Sequence, residues 1–381
     1  MNKILMLDDD AGGDAPAELY AETLAEASGG AMAVTVAQPG LMSETIALIA
    51  DRKPSCLLLD VALTNALTAE GLPLGYDGIA LAQQIRTLQT RGRTPGGGGL
   101  PGFPIVRLSK RDVIAEYVGG DPTSDDLFDE RIDKDELVDT PDHAATRILA
   151  LAQDYPAVLG FADRPADQTA IADLLACHEE LIARLDSRTL LPLRRHKSPS
   201  HVTARFISAI LLGRPGPLVD EALVAIRLGV DAGNSQDWQS LLNGLDSAKY
   251  RGAFASGYPR WWMPLIMDWW QREIDSDRSL ARLGAHERVQ KLSEVTGLND
   301  LRAIEPTVES PGSRVWHRCL RSGRPVDPSQ AFPLLPEWGI EAWHDVEYLC
   351  LDEALRDRRN PRLSATERTR LEAVEAVGNK R

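Results

Sequence analysis

The stretch Lys3-Ile-Leu-Met-Leu-Asp-Asp-Asp10 (KILMLDDD, residues 3–10) sets an apolar run directly against three carboxylates. Four consecutive apolar residues with no polar alternation read as a short strand buried on both faces. Carboxylates side by side repel one another, and the end of a buried strand solvates charge poorly. Either Asp8, Asp9 and Asp10 point into water, or a cation belongs among them. Two acids suffice to hold a cation, so Asp10 reads as a solvated turn residue.

Working outward, the same kind of run recurs. The stretch APAELYAETLAEA (15–27) separates the first strand from AVTV (33–36), and SETIALIADR (43–52) leads to CLLLD (56–60). GIALAQQIRTLQ (78–89) carries apolar residues at helical spacing before PIVRLS (104–109). A fifth, weaker candidate, LFDERIDK (127–134), precedes the helical DHAATRILALAQ (142–153). Short apolar strands alternating with helices predict a doubly wound, five-stranded parallel sheet. In such sheets, sites form beyond the carboxyl ends of the strands.

Those ends are chemically marked. Strand one delivers Asp8 and Asp9, strand three Asp60, strand four Ser109 and strand five Lys134. Three carboxylates, a hydroxyl and an ammonium on one sheet edge suit Mg²⁺ and a phosphoryl group. Hard oxygen ligands take the metal, which relieves the repulsion between the acids. One carboxylate can then act as a nucleophile toward phosphorus, while hydroxyl and ammonium stabilise the phosphoryl oxygens. Ser109 also reads as an N-cap for KRDVIAEYV (110–118), and Lys134 as a surface lysine in DKDEL. Asp60 is harder to set aside, since a charge directly after a buried run wants a reason.

In these residues, and over about 1–150, the chain resembles the receiver domain of two-component response regulators, a flavodoxin-like fold. The resemblance implies that Asp60 is the phosphoacceptor and that Asp8 and Asp9 are the acidic pair. It makes the Ala62 carbonyl a further metal ligand, and Ser109 and Lys134 the phosphoryl-sensing hydroxyl and lysine. YDGIALAQQIR (76–86), with Asp77-Gly78 at its entrance, looks like the family's loop and third helix. It implies a sensor histidine kinase or phosphotransfer protein as partner and Mg²⁺ as cofactor. The chain also departs from the pattern. The path from Asp60 to Gly78 is longer than usual, RGRTPGGGGLPGF (91–103) adds a Gly/Pro-rich insertion, Asp135 replaces the usual proline, and Arg131 the usual aromatic residue.

Residues 1–142 hold 24 acidic against 11 basic side chains, the remainder 32 against 31, and all eight tryptophans lie from Trp238 onward. Such a shift predicts separate domains: a receiver-like domain at 1–156, a linker at 157–168 (AVLGFADRPADQ is rich in small and turn residues), and a mainly helical output or interaction domain at 169–381, with a sub-boundary near 300–312. Neither half is globally basic, which argues against a dominant nucleic-acid surface. No secretory leader pattern or long apolar span is present, and Cys56, Cys177, Cys319 and Cys350 are scattered, so a cytoplasmic, bacterial-type signalling protein is expected.

The second part offers three further signals. YPRWWMPLIMDWWQREI (258–274) reads as a bulky core seam or, with Trp261, Trp262, Trp269 and Trp270 exposed, as a face for a protein partner. His317, Cys319, His344 and Cys350 are of zinc-binding residue types, without a zinc spacing. The basic clusters 192–201 and 355–370 read as solvated surface or as a DNA contact. The expected function is therefore phosphorylation-dependent signalling through the helical part, with a homodimer as one form. Its rivals are an inert receiver serving as a docking scaffold in a stress or phage-defence system, a DNA-binding regulator, and an effector enzyme with a Trp/His/Cys-rich site.

Overall fold

A computed structural model describes the chain except residues 12–14, 64–65, 68–70, 93–98, 111–125, 196–198, 338–339 and 379–381. In it, β1 (Asn2–Leu7), β2 (Met32–Ala37), β3 (Cys56–Leu59), β4 (Ile105–Ser109) and β5 (Glu130–Asp133) form one sheet in the order β2-β1-β3-β4-β5. Every neighbouring pair is parallel. This is the doubly wound, flavodoxin-like order expected from the sequence.

The helices α1 (Pro16–Ala27), α2 (Met42–Arg52) and α3 (Gly78–Gly92) fill the first three crossovers, and α4 (Lys134–Asp139) and α5 (Pro141–Ala162) follow β5. The expected helix after Ser109 falls within 111–125, outside the described residues. Burial follows the pleat, in which alternate side chains leave opposite faces. Leu5, Leu7, Leu57 and Leu59 join Ile49, Leu81, Ala82 and Ile85 in one apolar cluster. On the other face α5 packs against β1 and β3, with α1 alongside it.

Below the acidic edge, one buried ion pair braces the sheet. Arg86 Nη2 lies 2.6 Å from Asp129 Oδ2, and Arg86 Nε donates to the Leu127 carbonyl at 2.9 Å. The same carboxylate oxygen accepts the Ile105 N–H at 2.7 Å. Burial raises the Asp129 carboxyl above the usual range, against the opposing pull of Arg86.

The chain divides into two compact units, one of residues 1–213 with 251–258, the other of 214–250 with 259–381. This corrects the linker at 157–168. Helix α5 runs unbroken to Ala162 with Pro156 inside it, and Val158 and Phe161 are buried. Burial of that face outweighs the helix-weakening proline. The first unit then continues past the expected boundary: Ser208 Oγ donates to the Asp129 carbonyl at 3.1 Å. Within the returning segment, the Phe254 N–H donates to Asp154 Oδ2 at 2.7 Å, and Tyr258 donates its hydroxyl to Glu130.

The second unit is mainly helical, with two-residue antiparallel pairings such as Leu218–Val219 with Trp261–Trp262. Its apolar residues form one cluster from Val219 to Val315 and another from Cys319 to Leu371. Trp261, Trp262 and Trp270 are all under 5% exposed. Tyr250 meets Trp262 edge-on with ring centroids 5.8 Å apart. These three rings belong to a core seam, the first of the two readings, while Trp269 is half-buried beside them and Met267 exposed.

The tail helix Ala365–Gly378 forms as expected, with Ser364 Oγ accepting the Glu367 N–H at 3.2 Å. Four arginines of its basic neighbourhood are paired within the chain. Arg356 pairs with Asp352, Arg358 with Glu375, Arg362 with Glu337 and Glu347, and Arg370 with Glu367. Cations already paired with carboxylates are poor material for a phosphate-binding surface. Among the described residues, no helix is long and apolar enough to cross a membrane.

Candidate functional site

Strand register brings the acids together. Leu7 stands opposite Leu59, so the next residues on the two strands, Asp8 and Asp60, emerge side by side. The Asp60 N–H donates to the Leu7 carbonyl at 3.0 Å, and the Asp8 N–H to the Ala37 carbonyl at 3.3 Å. Ser109 is the last residue of β4 and pairs with Asp133 at the end of β5. Lys134 follows at once as the first residue of α4.

All five expected side chains are buried at this edge. Lys134 Nζ donates to Asp8 Oδ2 at 2.8 Å and to Asp60 Oδ2 at 2.5 Å. Ser109 Oγ donates to Asp60 Oδ1 at 2.6 Å and accepts the Val61 N–H at 2.9 Å. The Ala62 N–H also reaches Asp60 Oδ1, at 3.2 Å. Burial pulls the Lys134 ammonium toward its neutral form, but the charges of Asp60 and Asp8 outweigh it and hold the pKa above the ordinary lysine value. Asp10 is exposed, as expected of a turn residue, and its N–H donates to Asp8 Oδ1 at 3.0 Å.

Asp8, Asp9 and Asp60 each place a carboxylate oxygen within 4.8 Å of the others, and no other metal-capable group of three forms among the described residues. Three buried carboxylates offer an all-oxygen donor set, which fits a hard divalent cation such as Mg²⁺. The zinc reading finds no such gathering: His317, Cys319, His344 and Cys350 form no group of three.

Three features add to the residues read from the sequence. Gly78 packs on the backbone at the end of β3, where a Cβ would lie 2.1 Å from the Asp60 carbonyl oxygen. Its N–H donates to the Val61 carbonyl at 2.9 Å. Asp77 caps α3 through the Ala80 N–H at 2.8 Å, so the Asp77-Gly78 pair both starts the helix and fits it against Asp60. The Tyr20 ring lies 5.9 Å from Lys134 Nζ, within cation–π reach; one aromatic residue in a helix gives no sequence signal of that contact. Asp135 also has a role where a proline was the usual residue. Its N–H donates to the capping carboxylate of Asp133 at 3.0 Å, a bond that proline cannot make.

No protein-family model matches the sequence, and no curated protein matches it. Among solved structures, the N-terminal part is similar to receiver domains of response regulators. The receiver domain of RstA from Klebsiella pneumoniae is 25% identical, covering 40% of this chain and 99% of that one with a TM-score of 0.25. The receiver domain of NtrX from Brucella abortus is 20% identical, covering 37% and 97% with a TM-score of 0.25. A cysteine-to-serine mutant of RitR is 12% identical with a TM-score of 0.28, and the match covers 43% of this chain and 56% of that one. The match thus spans nearly all of the two isolated domains but little more than half of the RitR chain.

Proposed function

We propose that the chain is a response-regulator-type signalling protein that accepts a phosphoryl group on Asp60 from a sensor histidine kinase or phosphotransfer protein. The observation that carries this reading is the gathering of Asp8, Asp9 and Asp60 within 4.8 Å, with Lys134 and Ser109 both bonded to Asp60. Asp8, Asp9, Asp60 and the Ala62 carbonyl are the residues that would hold Mg²⁺. The ion, when bound, supplies positive charge to the transferring phosphoryl oxygens.

An Asp60 carboxylate oxygen attacks phosphorus as the bond from phosphorus to the donor's imidazole nitrogen breaks. The nitrogen keeps the electron pair and takes a proton from water. Lys134 offers its ammonium, and Ser109 its hydroxyl, to the oxygens of the arriving group. Both side chains must leave their present partners on Asp60 to do so. That shift carries the state of the site into α4 and β4, and from there to the rest of the chain or to a second copy.

Incubating the protein with acetyl phosphate and Mg²⁺ tests this. A gain of one phosphoryl group that is lost in Asp60→Asn is expected; no Asp60-dependent gain removes the phosphotransfer reading. An inert receiver used for docking is the outcome in which Mg²⁺ binds and no phosphoryl group is gained.

A further inference from the structure

In the second unit, two thiols meet under a tight turn. The strands His317–Arg318 and Pro325–Val326 pair antiparallel, and the turn between them closes with the Cys319 N–H on the Arg324 carbonyl at 2.7 Å and the Gly323 N–H on the Cys319 carbonyl at 2.9 Å. Gly323 has φ +68°, a left-handed conformation that glycine adopts without strain. Cys350 follows the strand Tyr348–Leu349 and precedes the helix Leu351–Arg356. Its N–H donates to Cys319 Sγ at 3.3 Å. Ser322 Oγ lies 3.6 Å from Cys350 Sγ. Both cysteines are free thiols.

We propose that Cys319 and Cys350 are a redox-active dithiol that a hydroperoxide converts into an intramolecular disulfide. The two sulfurs are placed for unequal roles. Burial raises the Cys319 thiol, but the Ser322 hydroxyl and the N–H groups of Cys350, Ser322 and Arg321 outweigh it and hold the thiol below its ordinary range. Burial, with the charge of Cys319 beside it, holds Cys350 above. Cys319 is thus the nucleophile, and Cys350 keeps its proton until the second step.

Both cysteines are buried, yet Ser322, whose hydroxyl reaches Cys350 Sγ, and the other residues of the turn, 320–324, are exposed. Neither remaining thiol is held low: burial pushes Cys177, although it is more exposed than the pair, up to about 12, and Cys56 higher still.

The chemistry balances with the peroxide as sole oxidant. The Cys319 thiolate attacks one peroxide oxygen, the O–O bond breaks, and the second oxygen departs as water or alcohol after taking a proton. This leaves a sulfenic acid on Cys319. Cys350 sulfur then attacks Cys319 sulfur, the S–O bond breaks, and the hydroxide leaves as water with the Cys350 proton. Two thiols and one hydroperoxide give one disulfide, one alcohol or water, and one further water.

The test uses the full chain with stoichiometric hydrogen peroxide, followed by alkylation and peptide mapping. Expected is a protein lighter by two hydrogens, with Cys319 and Cys350 joined and protected from alkylation, and both recovered with dithiothreitol. Cys350→Ser is expected to leave Cys319 as a sulfenic acid that dimedone labels. Oxidation at Cys319 should exceed that at Cys177 by on the order of tenfold or more. Cys319 and Cys350 both still alkylatable after peroxide, or Cys177 oxidised first, would overturn the proposal. The wild-type measurement does not depend on any variant folding.

Discussion

Ser109 Oγ stands between two atoms of one strand end, accepting the Val61 N–H at 2.9 Å and donating to Asp60 Oδ1 at 2.6 Å. Ser109→Ala leaves a buried N–H without that acceptor and Asp60 Oδ1 without its hydroxyl donor, the Ala62 N–H remaining. We expect a loss of about 1–3 kcal/mol in urea unfolding, together with slower gain of phosphoryl from acetyl phosphate. Ser109→Thr keeps the hydroxyl and should restore the rate. Equal rates in Ser109→Ala and wild type would show that the hydroxyl only braces the fold.

Lys134 is the cation that Asp8 and Asp60 share, at 2.8 and 2.5 Å. Lys134→Met strips a buried pair of its partner, which costs about 3–5 kcal/mol when both acids stay charged. Added Mg²⁺ should recover part of that loss and should also raise the melting temperature of the wild type, by mass action on the folded state. Asp9→Asn should blunt the Mg²⁺ effect. A melting temperature indifferent to Mg²⁺ in all three proteins would count against a divalent site.

At Gly78 any side chain meets backbone rather than a movable group, with the Asp60 carbonyl oxygen 2.1 Å from the position of a Cβ. Gly78→Ala is expected to displace the Asp60 backbone and destabilise by about 1–3 kcal/mol, as overpacking does. Gly71→Ala, at a site with nothing within 4 Å, meets no such obstacle and should cost less, its positive φ being the remaining penalty. Denaturant midpoints of the two variants measure the difference.

Acid should unfold the protein partly through two histidines held neutral. Burial, then the charges of Arg86 and Arg205, bring His201 down to about 3. Burial, opposed by Asp345, brings His317 to about 4. Between these values and about 6.5, the unfolded chain binds protons that the folded one does not, so stability falls as pH drops through that window. From pH 7 to pH 5 each histidine should contribute a loss of about 1–2 kcal/mol. Asp129, Glu130 and Asp154, raised by burial, act in the opposite sense. The measurement is therefore the difference between wild type and His201→Gln, whose urea midpoint should depend less on pH in this window.

Asp129→Ala should be among the most destabilising changes in the first unit. It abandons Arg86 in the interior and leaves the Ile105 N–H without its acceptor. A loss of about 3–5 kcal/mol is expected, read from the denaturant midpoint.

The sheet and its acidic edge were legible because they rest on local chemistry. Unbroken apolar runs such as Cys56–Leu59 can be satisfied only between two layers, and the polar residue that ends each run marks the edge. The limits of the first unit were not legible. Pro156 and the small residues around it look like a break when read locally, yet α5 continues because Val158 and Phe161 find a core. The stretch Arg251–Tyr258 (RGAFASGY) has neither period nor motif. Its place depends on partners far away in sequence, such as Asp154 and Glu130. The tryptophan seam left two readings open for a related reason: aromatic content marks large burial, whether inside a fold or at an interface, and only the partners distinguish the two.

That stretch has a practical consequence. The polypeptide leaves the first unit after Gly213, re-enters it for eight residues, and leaves again, and the re-entrant piece carries Phe254, fully covered, and Tyr258, nearly so. A fragment ending at Gly213 lacks a plug that its own interior expects, so it should expose a greasy hollow and clump. Whoever wishes to isolate the first unit must splice residues 251–258 back in, rather than trim the chain at one point.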